Sequence, residues 1–557
     1  MVIAYNTVNL GRLILLLVAV GLLTVMLGRG VYSAQSAVAS KGNKISRVEQ
    51  AERLVAEGAA AFERGEVTAA RDLFQKALEL NPASVTAHTQ LGMLADNAGD
   101  LEEAARHFGR AARLEPSSSS ARNNYGVILQ RLGRTREAAA EFEASLRADA
   151  RQPNALVNLG QIRFAGGTPT DLRAAADLFA RAYEIAPDTG IARAQTVIAL
   201  RRKDPSAAAV HYRHYATLLG NEGAAAVEEL GARGELGGAL LEAGLLAEAE
   251  AELSAVVKLD PSNADTIVQL ARVYLARQDI PAAGRLLEAA VARGLESAPV
   301  YSLLADVYER SGHLENAIPA MRLAIQRDPQ SEKYRFAYGL LLTNAYAPAA
   351  AVIRLEEALK TFPNSSPLWF ALGLAHFKNE NNEKAEEAFR HSQELNPNFA
   401  SALAYRGMIR VRTGAAAEGI TLYEDALRVD PKITVVHYLI ADALLKQVDA
   451  DLARVETHLK RAVESDSTFT PARISLAKLF MRTGRWEEAA VELEQVIKLD
   501  ANLADAYYQL GRTYTRLKRT AEAQSTLATF KRLSETQKER DEKDLRAVVK
   551  RLSDVRF

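Results

Sequence analysis

The chain has 557 residues, 69 Lys and Arg against 69 Asp and Glu, and no cysteine. That length exceeds one ordinary hydrophobic core, and a formal charge of zero offers no global field for a phosphate backbone, so nucleic acid is not an expected partner. The missing cysteine excludes disulfide frameworks, Cys-ligated zinc, iron–sulfur clusters, thiol nucleophiles and a lipid-modified N-terminal cysteine, while 48% hydrophobic but only 6% aromatic residues favour small-residue packing between helices over aromatic-rich sheets.

The first predicted element is the uncharged run from Leu13 to Leu27, LILLLVAVGLLTVML, flanked by Arg12 and Arg29. A full bilayer crossing takes about 20 apolar residues, whereas a secretory apolar region takes about 7 to 15, so the length favours a signal peptide over a retained anchor. Small residues suit cleavage at Val31-Tyr32-Ser33 or at Ala37-Val38-Ala39, and the charges on the two flanks do not set an orientation. Residues 1–39 are expected to be a signal peptide or membrane anchor with a spacer, and 40–50 a linker. The body is then exported, as a periplasmic or secreted protein, or tethered to a membrane through this segment alone.

From Ala51 onward the sequence repeats. Pro82 and Pro116 are 116 − 82 = 34 residues apart, and the same interval separates Gly58, Gly92 and Gly126; Gly65, Gly99 and Gly133; Ala70, Ala104 and Ala138; and Phe74, Phe108 and Phe142. Each recurring residue has a packing reason. The early Gly lets two helices approach, the second Gly permits the turn between them, and the Ala sits at the crossing with Phe four residues later on the same face. The closing Pro cannot continue a helix and begins the next unit afresh. The register returns in Leu270-Ala271 with Tyr274, Leu304-Ala305 with Tyr308, and Trp369, Leu372 and Gly373 with Phe389 and Pro397. It goes on through Gly407, Gly414, Tyr423 and Pro431, then Leu476, Gly484 and Ala489, and ends in Leu510, Gly511, Tyr514 and Ala523.

This pattern resembles the tetratricopeptide repeat, a helix–turn–helix unit of 34 residues, over about fourteen units from Ala51 to Phe530. The resemblance implies an all-α fold, a right-handed α-solenoid whose first helices line a concave groove that takes protein or peptide partners.

Several places depart from the pattern. Gly166-Gly167-Thr168-Pro169 is expected to lengthen the turn of the fourth unit, because Gly160 to Ala175 spans 15 positions where Gly126 to Ala138 spans 12. In the fifth unit Thr196 replaces the early Gly, and Tyr212 and Tyr215 take the inner stripe. Gly220-Asn221-Glu222-Gly223 then suggests a joint over 221–229, between an N-terminal sub-array at 51–220 and a C-terminal one at 230–530. Two inserted residues near Val448-Asp449-Ala450-Asp451 predict a longer turn in the twelfth unit. In the charged tail, 531–557, Leu545, Val548, Val549 and Leu552 keep helical spacing, as expected of a capping helix.

His211 and His214 form an HxxH pair on a predicted helix, but no third ligand is spaced nearby, so no metal is expected. Phosphate-cradling and nucleophile-elbow motifs are absent. Glu102-Glu103, Glu386-Glu387 and Glu487-Glu488 fit solvated helix surface and a favourable N-terminal dipole better than catalysis. The informative polar signal is Gln90, Asn124 and Asn158, 34 residues apart in both steps and two before the early Gly. A column of amides can donate and accept along the backbone of an extended peptide, and it resembles the asparagine ladder of O-linked N-acetylglucosamine transferases. Solvated polar surface is the competing reading of the same residues. The expected function is a non-enzymatic interaction scaffold of the cell envelope without cofactor. Alternatives are an accessory subunit of a polysaccharide-synthesis or secretion machine and, from a different class, the substrate-carrying array of a glycosyltransferase-type enzyme.

Overall fold

A computed structural model describes residues 46–222 and 230–534, and these form 28 α-helices with no strand among the described residues. The helices follow one another as fourteen pairs, so the all-α solenoid implied by the repeat is the fold the chain adopts. The apolar run Leu13–Leu27, the linker up to residue 45, the joint beyond Glu222 and the tail from 535 lie outside the described residues. Among the described residues no helix is long and apolar enough to cross a membrane. The chain divides into two compact units, one ending at Asp279 and the other beginning at Ile280.

The first helix, Arg47–Glu63, starts inside the span expected as linker, because Ser46 and Glu49 form a reciprocal capping box that satisfies two free N–H groups. Its partner, Val67–Leu80, packs on it through one repeated contact. A β-carbon built on Gly58 would lie 2.6 Å from Phe74 Cε1, and one on Gly126 would lie 2.6 Å from Phe142 Cε1, with both rings fully buried. Gly92 with Phe108, Gly160 with Phe179, Gly373 with Phe389 and Gly407 with Tyr423 repeat the arrangement. Where the early residue is alanine, as at Ala305, Ala441 and Ala477, the position sixteen to eighteen residues later holds Met321, Leu459 and Leu493, all buried. Glycine faces leucine instead at Gly237 with Leu253, Gly339 with Leu355 and Gly511 with Leu527, so the constant is a small residue on the first helix against a large apolar one on the second.

The turn inside every pair but the twelfth is set by a residue in the left-handed region. Gly65, Gly99 and Gly133 have φ of +81°, +79° and +75°, as expected of the second glycine. Lys203, Gln278, Tyr346, Glu380 and Lys518 hold the same place with positive φ although they carry a β-carbon. Between pairs the turn relies on more than proline. Asn81, Asp149, Asp260, Asn396, Asp430, Asp466 and Asp500 each accept a hydrogen bond from the backbone N–H two residues on, at 2.9–3.2 Å.

The irregular units resolve in different ways. The fourth turn is not lengthened. Gly167 ends the helix Pro153–Gly166 at φ +71°, Thr168 caps and Pro169 starts the next helix, so the extra residues enter Pro169–Ile185, which has 17 residues against 14 for Thr135–Ala148. The twelfth turn is longer, as expected: it runs from 446 to 451 between Thr434–Leu445 and Leu452–Ser465, and Asp451 caps the second of these helices. In the fifth unit Thr196 is fully buried and donates its hydroxyl to the Ala192 carbonyl at 2.9 Å. Tyr212 donates to Glu252 Oε1 at 2.9 Å, and Arg233 Nε donates to Glu252 Oε2 at 2.8 Å, with Glu252 only 2% exposed. Burial, reinforced by Glu252, holds the Tyr212 phenol above its ordinary range. This polar cluster joins the fifth and sixth pairs within the first unit.

The second unit departs from the small-residue packing that the composition suggests. Phe370 lies 4.7 Å from Phe399 between ring centroids, and Phe389 stacks on Tyr405 at 5.2 Å, in a cluster that continues through Tyr423 and Phe469.

Two outcomes follow from this geometry. Gly126→Ala should cost about 1–3 kcal/mol in denaturant melts despite alanine's better helix propensity, because Phe142 has no room to yield. Adding Phe142→Leu should recover most of that loss by recreating the aliphatic pairing found at Ala477 and Leu493, and a double variant no better than the single would refute volume complementarity. Lys203→Gly, at an exposed position with φ +57°, should stabilise by about 0.5–1 kcal/mol in the same melts.

Candidate peptide-binding face

Gln90, Asn124 and Asn158 sit at equivalent places on Val85–Asn97, Ser119–Arg131 and Pro153–Gly166, the first helices of three successive pairs. All three are partly buried. The amides are not equivalent, however. Asn158 Nδ2 donates to Asn123 Oδ1 at 3.1 Å, while Gln90 and Asn124 have no hydrogen-bond partner among the described residues. Asn123, 6% exposed, is therefore a member of the site that sequence reasoning missed.

A signal for Asn123 exists in the numbering. It lies 158 − 123 = 35 residues before its partner, one repeat plus one position. The same offset joins Asp96 to Arg131 in an ion pair and Glu309 to Asn344 in a hydrogen bond of 3.2 Å. Adjacent first helices are thus bridged by polar pairs at i and i+35. In that setting Asn158 ties its helix to the preceding one, and the open hydrogen-bonding capacity belongs to Gln90 and Asn124.

The remaining candidates are structural. Glu102 and Glu103 lie in a helical first turn, as do Glu487 and Glu488, where the dipole favours them. Glu386 does not fit that account: it lies inside Asn382–Leu395, is largely covered, and accepts from Arg406 Nε at 2.9 Å and Arg410 at 3.5 Å. His211 and His214 are edge to face with centroids 6.3 Å apart, and His214 stacks on Tyr183 at 5.4 Å. Burial, then the neighbouring His214, lowers the His211 pKa. Among the described residues no group of three His, Cys, Asp or Glu is placed to hold a metal.

Comparison with known proteins agrees with the repeat. Models described as "Tetratricopeptide repeat" match residues 73–106, 126–190, 240–307, 298–331, 366–399 and 504–536, and one described as "TPR repeat" matches 477–518. Anaphase-promoting complex subunit 3 of Schizosaccharomyces pombe is 25% identical over 171 residues, covering 30% of this chain and 25% of that protein. Cellulose synthase 1 operon protein C of Komagataeibacter xylinus is 27% identical over 178 residues, 30% of this chain and 13% of that protein. The matches thus span a quarter or less of either relative. The crystal structure of the Cut9–Hcn1 hetero-tetramer of the APC/C aligns over 84% of this chain and 97% of that one, at 13% identity and a TM-score of 0.37.

One titratable pair contributes to acid stability in the second unit. His437 and His458 place their Nδ1 atoms 3.0 Å apart. Burial first, then His437, Arg454 and Arg461, pushes His458 down to about 4, and burial with Arg461 lowers His437. Both folded-state pKa values lie below the ordinary histidine value of about 6.5, so the unfolded chain binds more protons between roughly pH 4 and 6.5. The pair's contribution is present above that window and is lost as pH falls through it. From pH 7 to 5 the parent should lose about 1–2 kcal/mol more stability than a His437→Gln/His458→Gln variant in parallel urea melts, discounting for partial exposure. Equal losses would remove the pair as the cause.

Proposed function

For a chain that is a tetratricopeptide-repeat protein, we propose a role as an interaction scaffold that holds an extended segment of a partner protein along its early first helices. The observation that carries this reading is the pair of partly covered amides, Gln90 and Asn124, left without protein partners one repeat apart. Each amide offers a donor and an acceptor, which matches the backbone of an extended peptide and is indifferent to its side chains. Asn158 and Asn123 brace the neighbouring helix rather than compete for the ligand.

The scaffold belongs to the cell envelope on this reading, brought there by the uncharged run Leu13–Leu27 acting as a signal peptide or anchor. The likeness to cellulose synthase 1 operon protein C supports the narrower alternative of an accessory subunit in a polysaccharide-synthesis machine. No catalytic group is invoked in either case.

A photo-crosslinking residue at Gln90 or Asn124 should capture partner segments identifiable by mass spectrometry. Gln90→Ala with Asn124→Ala should then weaken the captured partner by about five- to hundredfold, two hydrogen bonds at about 0.5–1.5 kcal/mol each, with melting unchanged. A double variant that binds as tightly as the parent would move the binding face elsewhere. Localisation is checked separately: an alkaline-phosphatase fusion after Lys44 should be active, and an inactive fusion beside an active cytosolic reporter would end the envelope assignment.

A further inference from the structure

The second repeat carries a cationic cavity that the peptide-binding reading does not use. On the helix Leu101–Leu114, Arg106, Arg110 and Arg113 follow at i, i+4 and i+7, a spacing that keeps three guanidinium groups on one face. All three are exposed, and none has an ion-pair or hydrogen-bond partner among the described residues. Together with His88 and His107 they line a cavity of about 400 Å³ that lies wide open to solvent.

The two histidines are held close. Their Nδ1 atoms are 3.0 Å apart and their ring centroids 5.3 Å apart, while His88 Nε2 lies 3.3 Å from the Pro82 carbonyl. That carbonyl only accepts, so the proton of neutral His88 sits on Nε2, and its bare Nδ1 accepts from His107 Nδ1–H. The one carboxylate against the pair is Glu103, 3.9 Å from His107 Nε2 and shared with Arg71 at 3.8 Å. Burial lowers both histidines; Arg110 and Arg113 lower His88 further, and the neighbouring His88, then Arg106 and Arg71, lower His107 against the opposing pull of Glu103. An anion in the cavity reverses that field.

The twelfth repeat supplies an internal control. His437 and His458 repeat the pair at the same 3.0 Å, so the pair itself is a way of packing these two helices. Counting from His107 and His458, Arg461 corresponds to Arg110, but Thr457 stands in place of Arg106 and Glu464 in place of Arg113. The row of three arginines is therefore not required by the fold, and its like charges repel one another without a counter-ion.

We propose that the cavity beside His88 and His107 is a binding site for a phosphate-type oxyanion, free or carried on a partner's phosphorylated side chain, held by the guanidinium groups of Arg106, Arg110 and Arg113. Guanidinium groups meet phosphate oxygens with paired donors, and three on successive turns allow several such contacts at once. The site is separate from the amide face. His88 and Gln90 are two residues apart on one helix and so point about 200° apart around its axis.

The test titrates the full chain with inorganic phosphate and follows the ³¹P signal. Saturable binding is expected. Arg110→Gln with Arg113→Gln should weaken it by about tenfold or more, because charge-assisted contacts are lost, whereas Arg461→Gln should leave it unchanged. The exposed arginines have no ion-pair or hydrogen-bond partner, so the double variant should melt no lower than the parent, which separates lost binding from lost folding. A short phosphoserine peptide that binds more tightly than inorganic phosphate identifies a phosphorylated partner as the source, and equal affinities identify a free anion. Absence of saturable binding, or equal loss in the Arg461 variant, overturns the proposal.

Discussion

The contact on which the repeats depend is a large apolar side chain of the second helix set against a small residue of the first, most tightly where a ring meets glycine. With a β-carbon on Gly58 or Gly373 only 2.6 Å from Phe74 or Phe389, the two helices approach to a distance that no other residue permits. Cores are close-packed, so a change on one side of such a contact demands an answer on the other. Ala305 with Met321 and Ala477 with Leu493 show that answer within the same chain. The fifth pair is informative too: the early position holds Thr196, bonded to its own helix, and the Tyr212 hydroxyl reaches Glu252 in a buried polar cluster.

Because this contact is local, irregularities elsewhere are absorbed without breaking the stack. Extra residues in the fourth pair extend a helix by its N-terminus, where Thr168 and Pro169 form a natural start. Extra residues in the twelfth pair stay in the turn, where Asp451 caps the next helix and Val448 is fully exposed. Left-handed residues other than glycine, such as Lys203 and Glu380, are held in the turns because the flanking helices over-determine the backbone there.

The stack then offers its partners repeated side chains at fixed spacing. A 34-residue step aligns Gln90 with Asn124, and a 35-residue step bridges neighbouring helices through Asn123 and Asn158 or Asp96 and Arg131. Position alone decides which polar residues brace the array and which stay open to a ligand. The cationic row of the second repeat lies on another side of the same helix pair, so one unit presents two chemically different surfaces.

The repeat period, the glycine that allows close approach, the ring that fills the gap between helices and the turn glycine were legible in the residues of this chain, because each is a local steric requirement written at a constant interval. The three amides were legible for the same reason. Tertiary structure alone separated them, since whether Asn158 is free or bonded depends on Asn123 of the preceding repeat, a contact between residues with no local relation. It likewise decided that the fourth insertion lengthens a helix rather than a turn, that Glu386 serves Arg406 rather than a helix dipole, and that sparse aromatics gather around Phe370 and Tyr405. Composition counts residues without placing them, and hydrogen bonds across repeats are fixed only when packing brings the helices side by side.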